Sequence, residues 1–236
     1  MTKDARWNLH YKWHQITFAF ILLLLLILPI TAVGKMNKQD TMRIPLKEGS
    51  INPTIQLDSM DIEFVDFYIQ PRPWNNRSPN VWLKMRIVSQ GDGYETFLNY
   101  YEKNDEQIQS NFPLAIGKYL LSLDVSKDNV DLLISPLKWG DTFVFDKKYK
   151  KGVTINGLTI TYDFCVTANL IDEHGDFGGY EISESFKLSE NKVEQVVDFN
   201  YISTREDNQT INIWNGYRIE ILDNFNAPLK LRVTKE

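Results

Sequence analysis

Residues 81–87 of the chain read Val81-Trp82-Leu83-Lys84-Met85-Arg86-Ile87. Every second residue is aliphatic or Met, and two of the three residues between them are basic. Successive side chains of a β-strand point to opposite faces, so a period of two is typical of a strand with one face in a core and the other in water. The stretch therefore predicts a half-buried strand, and it sets the pattern to look for in the rest of the chain.

The same alternation recurs after residue 42, in runs bounded by Gly, Pro, Asn and Asp. The clearest further runs are Ile62, Phe64 and Tyr68; Tyr119, Leu121, Leu123 and Val125; Ile160, Tyr162, Phe164 and Val166; and Ile211 with Ile213. Beyond the N-terminal segment, no stretch of a dozen residues shows a helical period, and residues 102–110 are the only plausible short helix. The pattern predicts an all-β fold.

The chain also matches itself at an offset of about 98 residues. Ile62, Phe64, Asp66 and Tyr68 fall on Ile160, Tyr162, Phe164 and Val166, and Tyr119 falls on Tyr217. A repeat of this length predicts two tandem immunoglobulin-like β-sandwich domains, residues 41–136 and 137–236. The alternative is that two unrelated β-domains align by chance. We expect Leu137 and Trp139 to pack between the domains and hold them as a fixed pair.

The N-terminal segment carries no charged residue between Lys12 and Lys35, and its centre is a run of Leu and Ile. Such a run is long enough to cross the hydrocarbon core of a bilayer as a helix. Residues 15–34 are therefore predicted to be a transmembrane helix, with residues 1–14 as a basic cytoplasmic segment and 35–40 as a linker.

A cleaved signal peptide is the alternative for the same residues. Pro29 closes the apolar run, and Ala32 and Gly34 are small residues at a spacing that signal peptidase reads. Under both interpretations the domains after residue 40 are extracytoplasmic. The anchored form would be single-pass, and the cleaved form would be secreted.

Composition restricts the class of partner. The 236 residues have a net charge of -5, and 43% of them are hydrophobic, as in ordinary folded domains. The first 38 residues contain five of the 26 Lys and Arg and one of the 31 Asp and Glu, so the remainder has a net charge of -9. No nucleic-acid partner is expected, because phosphate binding needs a clustered basic surface. Cys165 is the single cysteine, so the chain forms no internal disulfide.

The first candidate site is the loop at residues 71–79. It contains Arg72, Trp74 and Arg77 among three prolines, which restrict its conformation. Trp and Arg contribute most to binding at protein interfaces, so these three residues are predicted to bind a partner, either a cell-envelope protein or a glycan. The alternative is that Trp74 folds back onto its own domain.

The second candidate site is an acidic turn. Asp172, Glu173 and Asp176 lie within five residues, before Gly178 and Gly179. Carboxylates on a flexible turn are ligands that calcium prefers, so these three are candidate metal ligands, and calcium is the only cofactor that the sequence suggests. Their spacing is not that of the twelve-residue calcium loop, and an ordinary acidic turn is the alternative.

Catalytic groups are sparse. His174 is the only histidine after the N-terminal segment, and neither a nucleophile elbow nor a two-histidine zinc helix is present. We therefore expect no catalytic residues and a membrane-anchored, extracytoplasmic binding or scaffold protein of the cell envelope. The alternatives are a carbohydrate-binding or calcium-dependent adhesion module, and an envelope hydrolase that uses acidic residues such as Asp172, Glu173 or Asp176.

The alternation also predicts which side chains of the run at 160–166 are buried. Ile160, Tyr162, Phe164 and Val166 are expected on the core face. Cys165 is expected on the opposite face and partly exposed, as an inert thiol.

Overall fold

The computed structural model describes residues 41–49, 54–58, 60–71, 78–101, 112–204, 210–223 and 229–236. Within these ranges the chain forms β-strands and no helix, which confirms the prediction of an all-β fold. Consequently, no helix long and apolar enough to cross a bilayer occurs in these ranges. The predicted transmembrane or signal segment at 15–34, its flanking residues 1–14 and 35–40, and the predicted short helix at 102–110 all lie outside them.

The described residues contain sixteen strands. In chain order they are β1 Met42–Pro45, β2 Ile55–Leu57, β3 Met60–Gln70, β4 Asn80–Ser89, β5 Asp92–Tyr100, β6 Leu114–Ile116, β7 Tyr119–Val125, β8 Val130–Pro136, β9 Thr142–Phe145, β10 Val153–Ile155, β11 Leu158–Ile171, β12 Phe177–Glu190, β13 Val193–Ile202, β14 Ile211–Trp214, β15 Tyr217–Asp223 and β16 Lys230–Lys235. They form one eight-stranded sheet, in the order β1-β8-β7-β6-β9-β16-β15-β14, and two four-stranded sheets, β2-β3-β4-β5 and β10-β11-β12-β13.

Strand β4 confirms the alternation that the sequence predicts. Its Val81, Leu83, Met85 and Ile87 are fully buried. The β4–β5 hairpin closes through Gln90 and Gly91, both with positive φ, as a tight two-residue turn requires. Glycine reaches such angles without strain, so Gly91 suits this turn.

Two apolar cores lie between the sheets. The first core joins side chains of the β2–β5 sheet, such as Ile62 and Leu83, to those of β6, β7 and β8, such as Leu121 and Ile134. The second core joins side chains of the β10–β13 sheet to those of β9, β15 and β16. Two sheets that share a core form a β-sandwich.

The strand order repeats along the chain. Strands β1-β8-β7-β6 make one half of the large sheet, and β9-β16-β15-β14 make the other half in the same relative order. Strand β3 has an irregularity between Phe64 and Asp66, and β11 has one between Tyr162 and Phe164, 98 residues later. The four-stranded sheets are simple meanders, whereas an immunoglobulin domain divides its strands between sheets in a different order.

A parallel pair of strands joins the two halves of the large sheet. Strand β6 pairs with β9, with Leu114 beside Val144 and Ala115 beside Phe145. The Val144 N–H donates to the carbonyl of Pro113 at 2.8 Å. This pair links residues 41–136 to residues 137–236 through the backbone.

The segment between β9 and β10 adds side-chain contacts across the same boundary. Thr96 Oγ1 donates to Asp146 Oδ2 at 2.7 Å, and the rings of Tyr94 and Tyr149 stack with centroids 5.4 Å apart. Lys151 Nζ donates to the hydroxyl of Ser89 at 2.9 Å.

The two linker residues expected at this boundary, Leu137 and Trp139, both contact the second core. Leu137 is buried in the second core, and Trp139 packs against that core with its ring stacked on Tyr217 at 5.2 Å. That core also includes Ala115 of β6, and the Leu137 N–H donates to the Lys118 carbonyl at 2.9 Å. The packing of Leu137 and Trp139 between the domains stays a prediction.

Candidate functional site

The loop with the predicted partner-binding residues Arg72, Trp74 and Arg77 lies outside the described residues. Its two ends are described, and they place it between β3 and β4. The role of Arg72, Trp74 and Arg77 in partner binding stays a prediction.

The acidic turn with Asp172, Glu173 and Asp176 lies at the tip of the β11–β12 hairpin. Asp172 Oδ1 accepts the backbone N–H groups of His174 at 2.9 Å and Asp176 at 2.8 Å, an arrangement that closes the turn. The side chains of Glu173 and His174 are largely exposed, with 3.6 Å between Oε1 and Nε2.

These contacts give one carboxylate oxygen of the turn a structural role. Among the described residues, no group of three or more His, Cys, Asp or Glu side chains is arranged to hold a metal ion. Calcium binding at Asp172, Glu173 and Asp176 stays a prediction.

The outer part of the same hairpin carries exposed apolar side chains. We define the β11–β12 arm as residues 163–171 with 177–183. Its exposed apolar residues are Phe164 at 47%, Val166 at 55%, Ile171 at 60%, Phe177 at 58% and Tyr180 at 45% relative exposure. By their pairing in the hairpin, Phe164 and Val166 lie on one face, whereas Ile171, Phe177 and Tyr180 lie on the other, where the rings of Phe177 and Tyr180 are 4.9 Å apart. Apolar side chains exposed in this way are typical of an interaction surface.

The sequence did not reveal this surface, because strict alternation puts Phe164 and Val166 in the core. The irregularity between Tyr162 and Phe164 shifts the register, so Phe164 lies opposite Ser185 and Cys165 lies opposite Glu184. An extra residue in one strand inverts the faces of all residues after it. The prediction that Phe164 and Val166 are buried was therefore wrong. Cys165 is exposed as expected, but the register shift places it on the face of Glu184 and not on the outer face.

The two edges of the arm differ. On the β13 side, the Tyr180 N–H donates to Ser203 Oγ and the Ser203 N–H donates to the Tyr180 carbonyl, both at 2.8 Å. On the other side, β10 pairs with β11 only as far as Ile160. Beyond Ile160, no described strand pairs with this side of β11, so among the described residues the arm has one closed and one open edge.

The base of the arm contains a buried charge. The Glu184 side chain is 4% exposed and accepts a hydrogen bond from Lys147 Nζ at 2.5 Å and from the Tyr162 hydroxyl at 2.6 Å. The Tyr201 hydroxyl contacts the same carboxylate at 3.4 Å. Burial and the Glu184 carboxylate raise the pKa of Tyr162 and of Tyr201, so both remain neutral donors. This cluster ties β11, β12 and β13 together where the arm begins.

The arm and the turn at its tip carry a net negative charge. From residue 163 to residue 186 the chain contains six Asp and Glu and no Lys or Arg. One of the six, Glu184, is paired with Lys147, and the remaining five are Asp163, Asp172, Glu173, Asp176 and Glu181. All five are exposed, so the arm and the turn at its tip combine exposed apolar side chains with a negative potential.

The chain matches no model of a protein family, and no curated protein is significantly similar to it in sequence.

Proposed function

We propose that the chain is a membrane-anchored extracytoplasmic binding or scaffold protein of the cell envelope, without catalytic activity, and that the β11–β12 arm is its partner surface. The observation that supports this proposal is the set of five exposed apolar side chains on the arm, with Phe164 and Val166 on one face and Ile171, Phe177 and Tyr180 on the other. Burial of such side chains against a partner removes apolar area from water and stabilises a complex.

The architecture suits a scaffold. We propose two tandem immunoglobulin-like sandwiches, residues 41–136 and 137–236, similar to immunoglobulin domains in size and in their two-sheet build. The repeated strand order and the irregularities 98 residues apart in β3 and β11 support the repeat. The backbone pairing of β6 with β9 supports a rigid spacing between the two units.

The anchor rests on the sequence. Residues 15–34 are apolar and uncharged, and the basic residues before them favour a cytoplasmic N-terminus. In this arrangement both sandwiches lie outside the membrane, where the arm is available to other envelope proteins.

A protein partner fits the arm better than a glycan does. Sugar-binding platforms need coplanar aromatic rings, and the rings of Phe177 and Tyr180 are inclined at 66° with centroids 4.9 Å apart. Edge-to-face aromatic pairs of this kind are common in apolar protein interfaces.

The partner surface is tested by site-specific photocrosslinking in the native membrane. A benzoylphenylalanine replaces Phe177 in the full chain, and a control replaces Ile213, an equally exposed apolar residue on β14. We expect one predominant adduct from position 177 that position 213 does not give. No adduct at 177, or the same adducts from both positions, would contradict the proposed partner surface.

The topology is tested by protease treatment of intact cells. An extracytoplasmic C-terminal region is degraded in intact cells, and a cytoplasmic one is degraded only after lysis. Protection of the sandwiches until lysis would contradict the proposed location.

A further inference from the structure

The open edge of β11 suggests how a partner would bind. We propose that the partner adds an extended, basic and apolar segment as a new strand along residues 163–171 of β11. This inference rests on the proposed function, since it takes the β11–β12 arm as the partner surface. It specifies backbone hydrogen bonding, which that proposal does not require.

The backbone of β11 supports strand addition. The strand has 14 residues, and β10 pairs with only three of them, Leu158 to Ile160. An edge strand exposes N–H and C=O groups that a further strand can satisfy. Residues 163–171 contain neither Pro nor Lys, the residues that commonly prevent pairing at an edge.

The equivalent edge of β3 is less available. The Ile69 N–H is directed at Glu48 Oε1 at 3.5 Å, so a side chain of the same chain already occupies part of that edge. Two acidic residues, Glu63 and Asp66, also lie along it. Strand β11 has Asp163 alone, followed by eight uncharged residues. The comparison selects β11 over β3 as the docking edge.

The charge of the arm selects the occupant. Residues 163–186 contain five exposed carboxylates and no Lys or Arg, so an incoming strand with Lys or Arg at alternate positions is attracted. Its remaining side chains would be apolar, to cover Phe164 and Val166. A second copy of this chain, paired through the same edge, would bring ten carboxylates together, and that repulsion disfavours a dimer.

The test uses synthetic peptides and the full chain in detergent micelles. The probe is an eight-residue peptide of alternating Lys and Val. One comparison peptide alternates Glu and Val, and another is the Lys/Val peptide with every second amide N-methylated, which removes the hydrogen bonds of one strand edge. Affinity is measured by fluorescence anisotropy, and backbone protection is measured by hydrogen exchange.

We expect the Lys/Val peptide to slow amide exchange in residues 163–171, and both comparison peptides to bind at least tenfold more weakly. Val166→Lys places a positive charge on the exposed edge and should weaken Lys/Val binding at least tenfold. The control Ile213→Lys changes a side chain with 57% exposure on β14 and should leave affinity unchanged. Because both positions are exposed, we expect both variants to keep the unfolding midpoint of the parent.

Strand addition is excluded if the N-methylated peptide binds as well as its parent, if exchange in β11 does not slow, or if the Lys/Val peptide fails to bind. A concentration-dependent dimer that protects β11 would also exclude the proposed occupant. The photocrosslink at position 177 does not depend on backbone pairing. Its presence with a negative peptide result rejects strand addition alone, and its absence rejects the proposed partner surface.

Discussion

At the scale of single residues, Glu184 is the most informative side chain. A carboxylate that is almost fully buried must be paired, because an isolated buried charge is strongly destabilising. Its donors, Lys147 and Tyr162, lie 37 and 22 residues away in the sequence. No local motif connects them, so only the fold shows that Glu184 is a structural residue at the base of the arm.

Removing the ammonium group should therefore cost stability. Lys147→Met leaves the Glu184 carboxylate buried with tyrosine donors alone, and we expect a loss of about 2–3 kcal/mol in the free energy of unfolding, below the usual range because Lys147 is partly exposed. The measurement is urea denaturation at neutral pH.

The matched variants are Glu184→Gln and the double variant. The double variant should be more stable than the sum of the two single losses implies, since it leaves no unpaired charge. Strict additivity of the two losses would show that Lys147 and Glu184 do not interact.

At the scale of an element, the entry into β10 depends on one glycine. Gly152 has a φ of +68°, and a Cβ at this position would lie 2.0 Å from the carbonyl oxygen of Ile160. The N–H of Gly152 donates to the Tyr149 carbonyl at 3.0 Å. Gly152 is the last residue of the segment between β9 and β10, whose Tyr149 packs in the first core. Any side chain here must displace β11 from β10.

We expect Gly152→Ala to lower the free energy of unfolding by about 3 kcal/mol or more, because positive-φ strain adds to a backbone clash. Gly157→Ala is the control, since Gly157 also has a positive φ but a Cβ added there would meet no neighbouring atom within 4 Å. Its cost should be about 1 kcal/mol. Thermal and urea unfolding of both variants compare the two, and equal losses would show that the close approach to Ile160 is unimportant.

The strands also show how far the alternation of apolar residues predicts the structure. Alternation located the strands, and the buried residues of β4 agree with it. It failed in β11 after Tyr162, where the register shift exposes Phe164 and Val166. A single-residue irregularity leaves no compositional signal, so the apolar surface of the arm could be found only from the paired strands.

At the scale of the whole molecule, both cores contain tyrosines whose hydroxyls are partly buried. Burial raises the pKa of Tyr94 in the first core, with a contribution from the Asp146 carboxylate, and that of Tyr162 beside the second. A tyrosine with a raised pKa in the folded state contributes stability below its unfolded pKa of about 10 and loses it as the pH rises. Alkaline conditions should therefore unfold both sandwiches.

We expect the free energy of unfolding to decline above about pH 10, and Tyr94→Phe to reduce this decline by about 1 kcal/mol at about pH 11. The Tyr94 hydroxyl has no hydrogen-bond partner among the described residues, so the variant should not lose stability at neutral pH. Urea denaturation across the pH range gives both values. An unchanged alkaline slope in the variant would show that Tyr94 does not contribute.

The strand spacing that the sequence predicts recurs in the structure, whereas the way the two halves of the large sheet join was not predictable. The offset of 98 residues recurs between β2 and β10, and between the starts of β3 and β11. The β6–β9 pair and the stacking of Tyr94 on Tyr149 involve contacts between distant parts of the chain, which no periodic pattern specifies. The packing of Leu137 and Trp139 was expected from their position between the two halves, and in the structure both contact the second core.

The parallel pairing of β6 with β9 also bears on self-assembly into filaments. The large sheet ends in β1 and β14, the counterparts of the two strands that pair at its centre. Pro45 of β1 pairs with Asp131 of β8, and Val144 of β9 pairs with Lys230 of β16. Pro45 and Val144 therefore occupy equivalent positions in the two halves of the sheet. The Val144 N–H donates to the Pro113 carbonyl in this pairing, and proline has no N–H to donate. End-to-end copies of the molecule would lose this bond at every contact, which disfavours uncontrolled polymerisation.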